Sequence, residues 1–230
     1  MNLKAQTALL FTFLIAAAAM LNSCTNEQEE YSFKEGDLFF QDLDCGPFCE
    51  AIEKVTQGYL GSNLSHVGVL IRHENSWKIL EAGGEGVRLT AVDTFLNRSF
   101  DRNGKPKVLV GRMENIDQRM LKTAKTIGIS LVGKPYDDFF DIENEAFYCS
   151  ELIYESFRDQ AGNPLFELKP MTFKDPETNS FFPIWEDYFA DLKMEIPEGS
   201  PGLNPGAMST ASSVQIVYQF GEPSGLGRGK

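Results

Sequence analysis

An α+β domain, with antiparallel strands packed by a few helices, is the fold class that this sequence predicts. Short strand-like runs cluster between residues 37 and 112, two of them joined by a polar turn. Two longer stretches with helical spacing follow, at 116–130 and 148–158. Roughly 200 residues remain once the terminal segments are set aside, enough for one domain with a real core. The eighteen phenylalanines of the chain support that size.

The chain opens MNLKAQTALLFTFLIAAAAMLNSC, in which Lys4 gives a short positive region. Ala8 to Leu21 is an apolar run too short for a membrane-spanning helix. It ends in Leu21-Asn22-Ser23-Cys24, which resembles the lipobox of bacterial lipoproteins. The resemblance implies that residues 1–23 are a signal peptide that is removed and that Cys24 is lipidated. The protein would then be anchored in the bacterial cell envelope, on the periplasmic face or the outer surface. A core helix starting at residue 5 is the rival reading, but it lacks a capping residue and runs straight into a polar tract. Residues 24–32 are acidic and without hydrophobic pattern, and read as a tether. Residues 33–220 hold the domain, and 221–230 read as a flexible tail.

Within the domain, Asp37-Leu-Phe-Phe-Gln41 reads as a strand, and Pro47 fits the first turn of a helix over 48–57. Gly58 to Ser65 is a loop. Strands at 65–72 and 77–82 flank the turn His73-Glu74-Asn75-Ser76. A third strand, Val87 to Leu89, follows the run Gly83-Gly84-Glu85-Gly86, and a fourth spans 107–112. After the two helices the chain is aromatic and proline-rich, with Phe181, Phe182, Ile184 and Trp185 covering part of the core. Residues 197–207 form a loop and 214–220 the last strand.

The formal net charge is −12, and removal of residues 1–23, whose one charged side chain is Lys4, makes it one unit more negative. Such a chain is a poor partner for nucleic acid or a bare anionic membrane surface. Cys24 belongs to the anchor. Cys45 and Cys49, one helical turn apart in DCGPFCEAIEKV, are either a disulfide of an exported protein or two packed thiols. Cys149 is then the odd thiol. Cys45, Cys49, Cys149 and His66 could instead bind zinc, but no CxxC or HxxxH spacing supports that, and no metal or other cofactor is expected.

Gly133 to Phe157, GKPYDDFFDIENEAFYCSELIYESF, carries the most chemistry. Cys149, Leu152, Ile153 and Phe157 recur on one helix face, so Cys149 sits in or near the first turn, where the helix dipole favours a thiolate. A buried structural cysteine would show the same spacing. Across the 65–82 hairpin, a loop of two residues (Glu74-Asn75) or four (73–76) sets Gly68 opposite Glu81 and His66 opposite Gly83. His66, Gly68 and Leu70 then share a face with Ile79 and Glu81, and Glu81 is the diagonal neighbour of His66 at roughly 7 Å. An odd loop would put Glu81 on the other face. Gly68 leaves room for a helix terminus to approach. A thiol, an imidazole and a carboxylate are the parts of a cysteine nucleophile with its base and orienting group. Taken alone, His66 also reads as a satisfied core histidine, whereas His73 sits in a polar turn.

Gly133-Lys-Pro-Tyr136 with Tyr148-Cys149-Ser150-Glu151-Leu152-Ile153, and Ser65-His66-Val67-Gly68-Val69, resemble the motifs of the NlpC/P60-type papain-like cysteine hydrolases. The order His, Glu, Cys is similar to their circularly permuted YiiX-like branch, and Gly36-Asp37-Leu38-Phe39-Phe40 and Asn204-Pro205-Gly206 fit that branch too. The resemblance spans about residues 33–220 and implies a papain-like antiparallel sheet packed by helices. It also implies an amide-cleaving enzyme with Cys149 as nucleophile, His66 as base, Glu81 as orienting carboxylate and Tyr136 in the oxyanion hole. A core tyrosine is the plainer reading of Tyr136. Its substrates would be peptidoglycan stem peptides or N-acyl and lipid amides. Two residues depart from the pattern: Tyr148 stands in place of aspartate, and Glu151 in place of glycine. Asp137 and Asp138 either select a cationic group or, more simply, organise a turn. Asp44-Cys45-Gly46 imitates the unpermuted nucleophile motif but has no GxPY before it. An acyltransferase using the same residues, or a lipoprotein binding cell wall or lipid without catalysis, are the competing functions.

Overall fold

The wholly buried run Leu38–Gln41 (β1) lies inside a six-stranded antiparallel sheet, in a computed structural model that describes residues 31–227. The signal peptide, Cys24 and most of the tether fall outside the described residues. Around β1 stand β2 (His66–His73), β3 (Ser76–Gly83), β4 (Gly86–Ala91) and β5 (Val108–Met113). Lys169–Pro170 (β6) and Pro201–Gly202 (β7) make a separate small ribbon, and Val214–Gln219 (β8) closes the large sheet in the order β4-β3-β2-β1-β5-β8.

The hairpin between β2 and β3 turns over two residues, Glu74 and Asn75, both at positive φ (45° and 64°). Such a turn matches the twist of the strands it joins. Leu70 faces Ile79 and Val69 faces Leu80, so the even-loop register holds and His66 and Glu81 point to one face.

The helices are α1 (Pro47–Val55), α2 (Val92–Leu96), α3 (Gln118–Ser130), α4 (Cys149–Ser156), α5 (Pro183–Leu192) and α6 (Pro205–Ser209). Pro47, Pro183 and Pro205 each occupy a first turn, where the missing N–H costs nothing. Leu152, Ile153 and Phe157 of the α4 segment cluster with Val67, Val69 and Leu80 on the sheet. A second, aromatic cluster gathers Phe140, Tyr148, Phe173, Trp185 and Phe189, with Phe173 and Trp185 edge-on at 5.2 Å.

Four expectations change. The start of α4 does not use the gap at Gly68, because α4 packs on the opposite face with Val67 and Val69. A Cβ on Gly68 would lie 2.4 Å from Ile79 Cγ2, so the glycine makes room for its own sheet neighbour. The aromatic stretch after 180 includes a regular helix, α5. The expected 197–207 loop contains β7 and the start of α6, with Asn204 Oδ1 capping the latter by accepting from Ala207 N at 3.2 Å. Residues 221–227 are not a loose tail. Ser224 N donates to Asp42 Oδ2 (2.7 Å) and Gly227 N to Leu60 O (2.9 Å), tying this strip to the domain.

Candidate active site

Glu81 is fully buried, and its carboxylate is surrounded by donors. His66 Nε2 lies 2.7 Å from Oε2. Arg98 presents its guanidinium fork, Nη1 to Oε2 at 2.7 Å and Nη2 to Oε1 at 2.5 Å. Arg88 Nε adds a bond to Oε1 at 3.2 Å, and the Thr90 hydroxyl donates to the same oxygen. Burial alone would raise the carboxyl's pKa, but the hydrogen bonds from Arg98, His66 and Thr90 hold it well below the usual carboxylate range. Glu81 is therefore a fixed anion at any physiological pH.

His66 feels the result. Burial alone would depress the ring, but its hydrogen bonds and charge interactions with Cys149 and Glu81 lift it to about 9. With Nε2 turned to Glu81, Nδ1 is the nitrogen left for the thiol. A ring charged at neutral pH beside a thiol is placed to exchange a proton with it.

Cys149 is the first residue of α4 and 7 % exposed. Backbone N–H groups in the first turn have no partner within the helix, so they are available to an oxyanion. The helix start is pinned to a distant segment: Ser150 Oγ donates to Leu203 O (3.1 Å), and Leu203 N donates to the Tyr148 hydroxyl (3.2 Å). Glu151 explains its departure from glycine by accepting from Tyr148 N at 3.1 Å, a backward cap on the helix that Cys149 starts. Burial outweighs that bond and, with the charges of Asp137, Glu155 and Asp141, raises the Glu151 carboxyl to about 8. A carboxyl raised in the fold above its ordinary 4.5 stabilises the folded state at low pH, a contribution lost as pH climbs towards 8. Glu151→Gln keeps the acceptor oxygen and removes the titration. Its melting temperature is expected to match the parent at pH 5 and to exceed it by about 3 °C or more at pH 9, read by differential scanning calorimetry.

A cavity of about 930 Å³ adjoins these groups. Tyr136, His66 and Cys149 line it, together with an aromatic wall that includes Phe48, Phe140 and Trp185. Burial, followed by the charges of Cys149, Tyr188, Asp138 and Asp137, pushes the Tyr136 hydroxyl well above its ordinary range, so it stays a neutral donor. The segment before it is docked on β4, with Val87 N to Lys134 O and Gly133 N to Val87 O both at 2.9 Å. Asp137, fully buried, accepts from Phe139 N, Asp141 N and Asn144 Nδ2, and Asp138 accepts from the Tyr188 hydroxyl (2.8 Å). Both carboxylates organise the loop. Asn204 also lines the cavity.

Cys45 and Cys49 form a disulfide, with Cα atoms 5.3 Å apart. That rules out the zinc set in this state, since bonded sulfurs are poor ligands, and removes Cys45 as a rival nucleophile. Among the described residues Cys149 is the free cysteine, and no group of three or more His, Cys, Asp or Glu is arranged to hold a metal ion.

Sequence reasoning missed Arg98, Arg88 and Thr90. The signal for Arg88 was within reach: the β3–β4 pairing sets Glu81 directly opposite Arg88. Arg98 gave none, because the short helix that delivers it has no readable period.

Residues 32–218 match the profile of the family described as permuted papain-like amidase enzyme, YaeF/YiiX, C92 family. The YiiX protein of Escherichia coli strain K12 is 26 % identical over 174 residues, covering 72 % of this chain and 78 % of its own. Among solved structures, that of the metalloprotein YiiX from Escherichia coli O157:H7 superposes with a TM-score of 0.66 at 22 % identity. The match covers 82 % of this chain and 98 % of that one.

Proposed function

The chain belongs to the YaeF/YiiX (C92) family of permuted papain-like amidases, and on that premise we propose that it is a cysteine hydrolase of N-acyl or lipid amides acting through an acyl-enzyme. The observation that carries this reading is His66 held between Cys149 and a locked Glu81, beside a cavity with an aromatic wall. The thiolate of Cys149 attacks the amide carbonyl and forms the carbon–sulfur bond. The developing oxyanion draws on α4 backbone N–H groups and the neutral Tyr136 hydroxyl, each such donor contributing about 3 kcal/mol. Imidazolium His66 gives its proton to the leaving nitrogen as the carbon–nitrogen bond breaks. Water, deprotonated by the neutral ring, then releases the acid and restores the pair. The aromatic wall of the cavity suits an acyl chain better than the polar stem peptides of peptidoglycan.

Mass spectrometry of the protein after incubation with long-chain N-acyl amino acids, lipid extracts or cell-wall digests tests the proposal. Acyl mass on Cys149 from the first two, absent in Cys149→Ala, is expected. Adducts from the digests alone would move the substrate to stem peptides, and no adduct with any source would sink the enzyme reading. The same proposal places the domain at the cell envelope through Cys24, and a lipid-bearing amino-terminal peptide in the mature protein is its check.

A further inference from the structure

Building on the reading of Cys149 and His66 as a reacting pair, we propose that Arg98 is a positioning residue of the site, acting on His66 through Glu81. Its fork reaches both oxygens of a carboxylate that is itself bonded to the ring. Planar, bidentate pairing fixes the carboxylate's rotation as well as its charge, which a point charge cannot do. The backbone on both sides of Arg98 is anchored to the end of β1. Gln41 Nε2 donates to Phe95 O at 2.8 Å, and the Ser99 hydroxyl donates to Asp42 O at 2.5 Å. Between those two ties the guanidinium carbon lies 5.0 Å from the centre of the Phe95 ring, and that same ring is 5.7 Å from His66. Phe95 thus packs against both the arginine and the imidazole, and the shape of one constrains the other. Arg88 and Thr90 bond only Oε1, so they hold one oxygen and leave rotation about it open. Arg98 is the cation whose bond to Oε2, the oxygen facing His66, closes that freedom.

The readout is the rate of iodoacetamide alkylation of Cys149 between pH 5 and 10, which needs no substrate. Arg98→Gln is expected to slow alkylation at pH 7 at least tenfold and to move the alkaline limb of the profile, as misplacement near a reacting group does. Arg98→Lys, retaining charge without the fork, is expected to fall between the two and carries the test if the glutamine variant does not fold. Because the effect passes through the carboxylate, Arg98→Gln added to Glu81→Gln should change the rate less than threefold. Equal rates in Arg98→Gln and the parent, or independent effects that multiply in the double variant, would overturn the inference. So would a lowered melting temperature with an unmoved profile. Should His66→Ala leave the parent's rate unchanged, the reacting pair itself fails, and that outcome is separate from a failure of Arg98 alone.

Discussion

Replacing His66 with alanine is expected to lower amide hydrolysis by about 10²–10⁴-fold while costing the fold less stability than the loss of Glu81 would. The loss follows from the double duty proposed for the ring, as counter-ion to the thiolate and as acid to the leaving nitrogen. The fold survives because Glu81, deprived of the ring, still accepts from Arg98, Arg88 and Thr90. Removing the carboxylate is different. Glu81→Ala leaves two guanidinium groups turned towards a vacated, buried position, and one partner of a buried ion pair is costly to leave alone. Activity and melting temperature should therefore part company in His66→Ala and fall together in Glu81→Ala. The pH profile adds a sign. A ring lifted to about 9 carries its proton at neutral pH and gives it up as pH rises through that value, so turnover should decline on the alkaline side near pH 9. The limb belongs to the coupled thiol and ring together, and His66→Ala should lack it. A His66→Ala protein that hydrolyses within threefold of the parent would end the catalytic assignment.

What could be read from the residues, and what could not, follows the range of the interactions involved. The 65–82 hairpin was legible because register in a two-residue turn is local: once Glu74 and Asn75 are the turn, the period of two puts His66 and Glu81 on one face. Cys149 at the start of α4 was legible for the same reason, since its helix announces itself through Leu152, Ile153 and Phe157. Gly68 misled because a missing side chain says that something comes close but not what; here it is Ile79 from the neighbouring strand rather than a helix. Arg98 was hidden because its partner lies 17 positions away and reaches it only after a short helix and two side-chain ties to β1. The stretch expected to be a flexible tail is held by long-range bonds that sequence does not show: Ser224 N and Gly227 N find acceptors on the body of the domain.

A second substitution, distant from the reacting atoms in sequence, should be nearly as damaging as the loss of His66. Gly86 opens β4 at φ 92°, a left-handed conformation that costs a side-chain-bearing residue of order 1 kcal/mol or more. A Cβ there would also lie 2.3 Å from Lys134 O and 3.4 Å from Pro135 Cα. Those are backbone atoms and cannot swing aside as a side chain would. Lys134 O is further held by Val87 N at 2.9 Å, so relief requires either lifting β4 or shifting the segment that leads into Tyr136. Strain and clash together place Gly86→Ala at about 2–5 kcal/mol of lost stability. That is a large share of the 5–15 kcal/mol of a typical domain. Gly84, two residues earlier, has nothing within 4 Å of an added Cβ, so Gly84→Ala is the matched control and should unfold with the parent. Urea titration of the three proteins measures the difference. Turnover assayed well below the midpoint should be reduced in Gly86→Ala alone, because the displaced segment carries Tyr136 away from the carbonyl it would bind. Coincident unfolding curves for the two alanine variants would show that the contact between β4 and the 133–136 segment yields easily, and Tyr136 would then lose its claim to a fixed place beside Cys149.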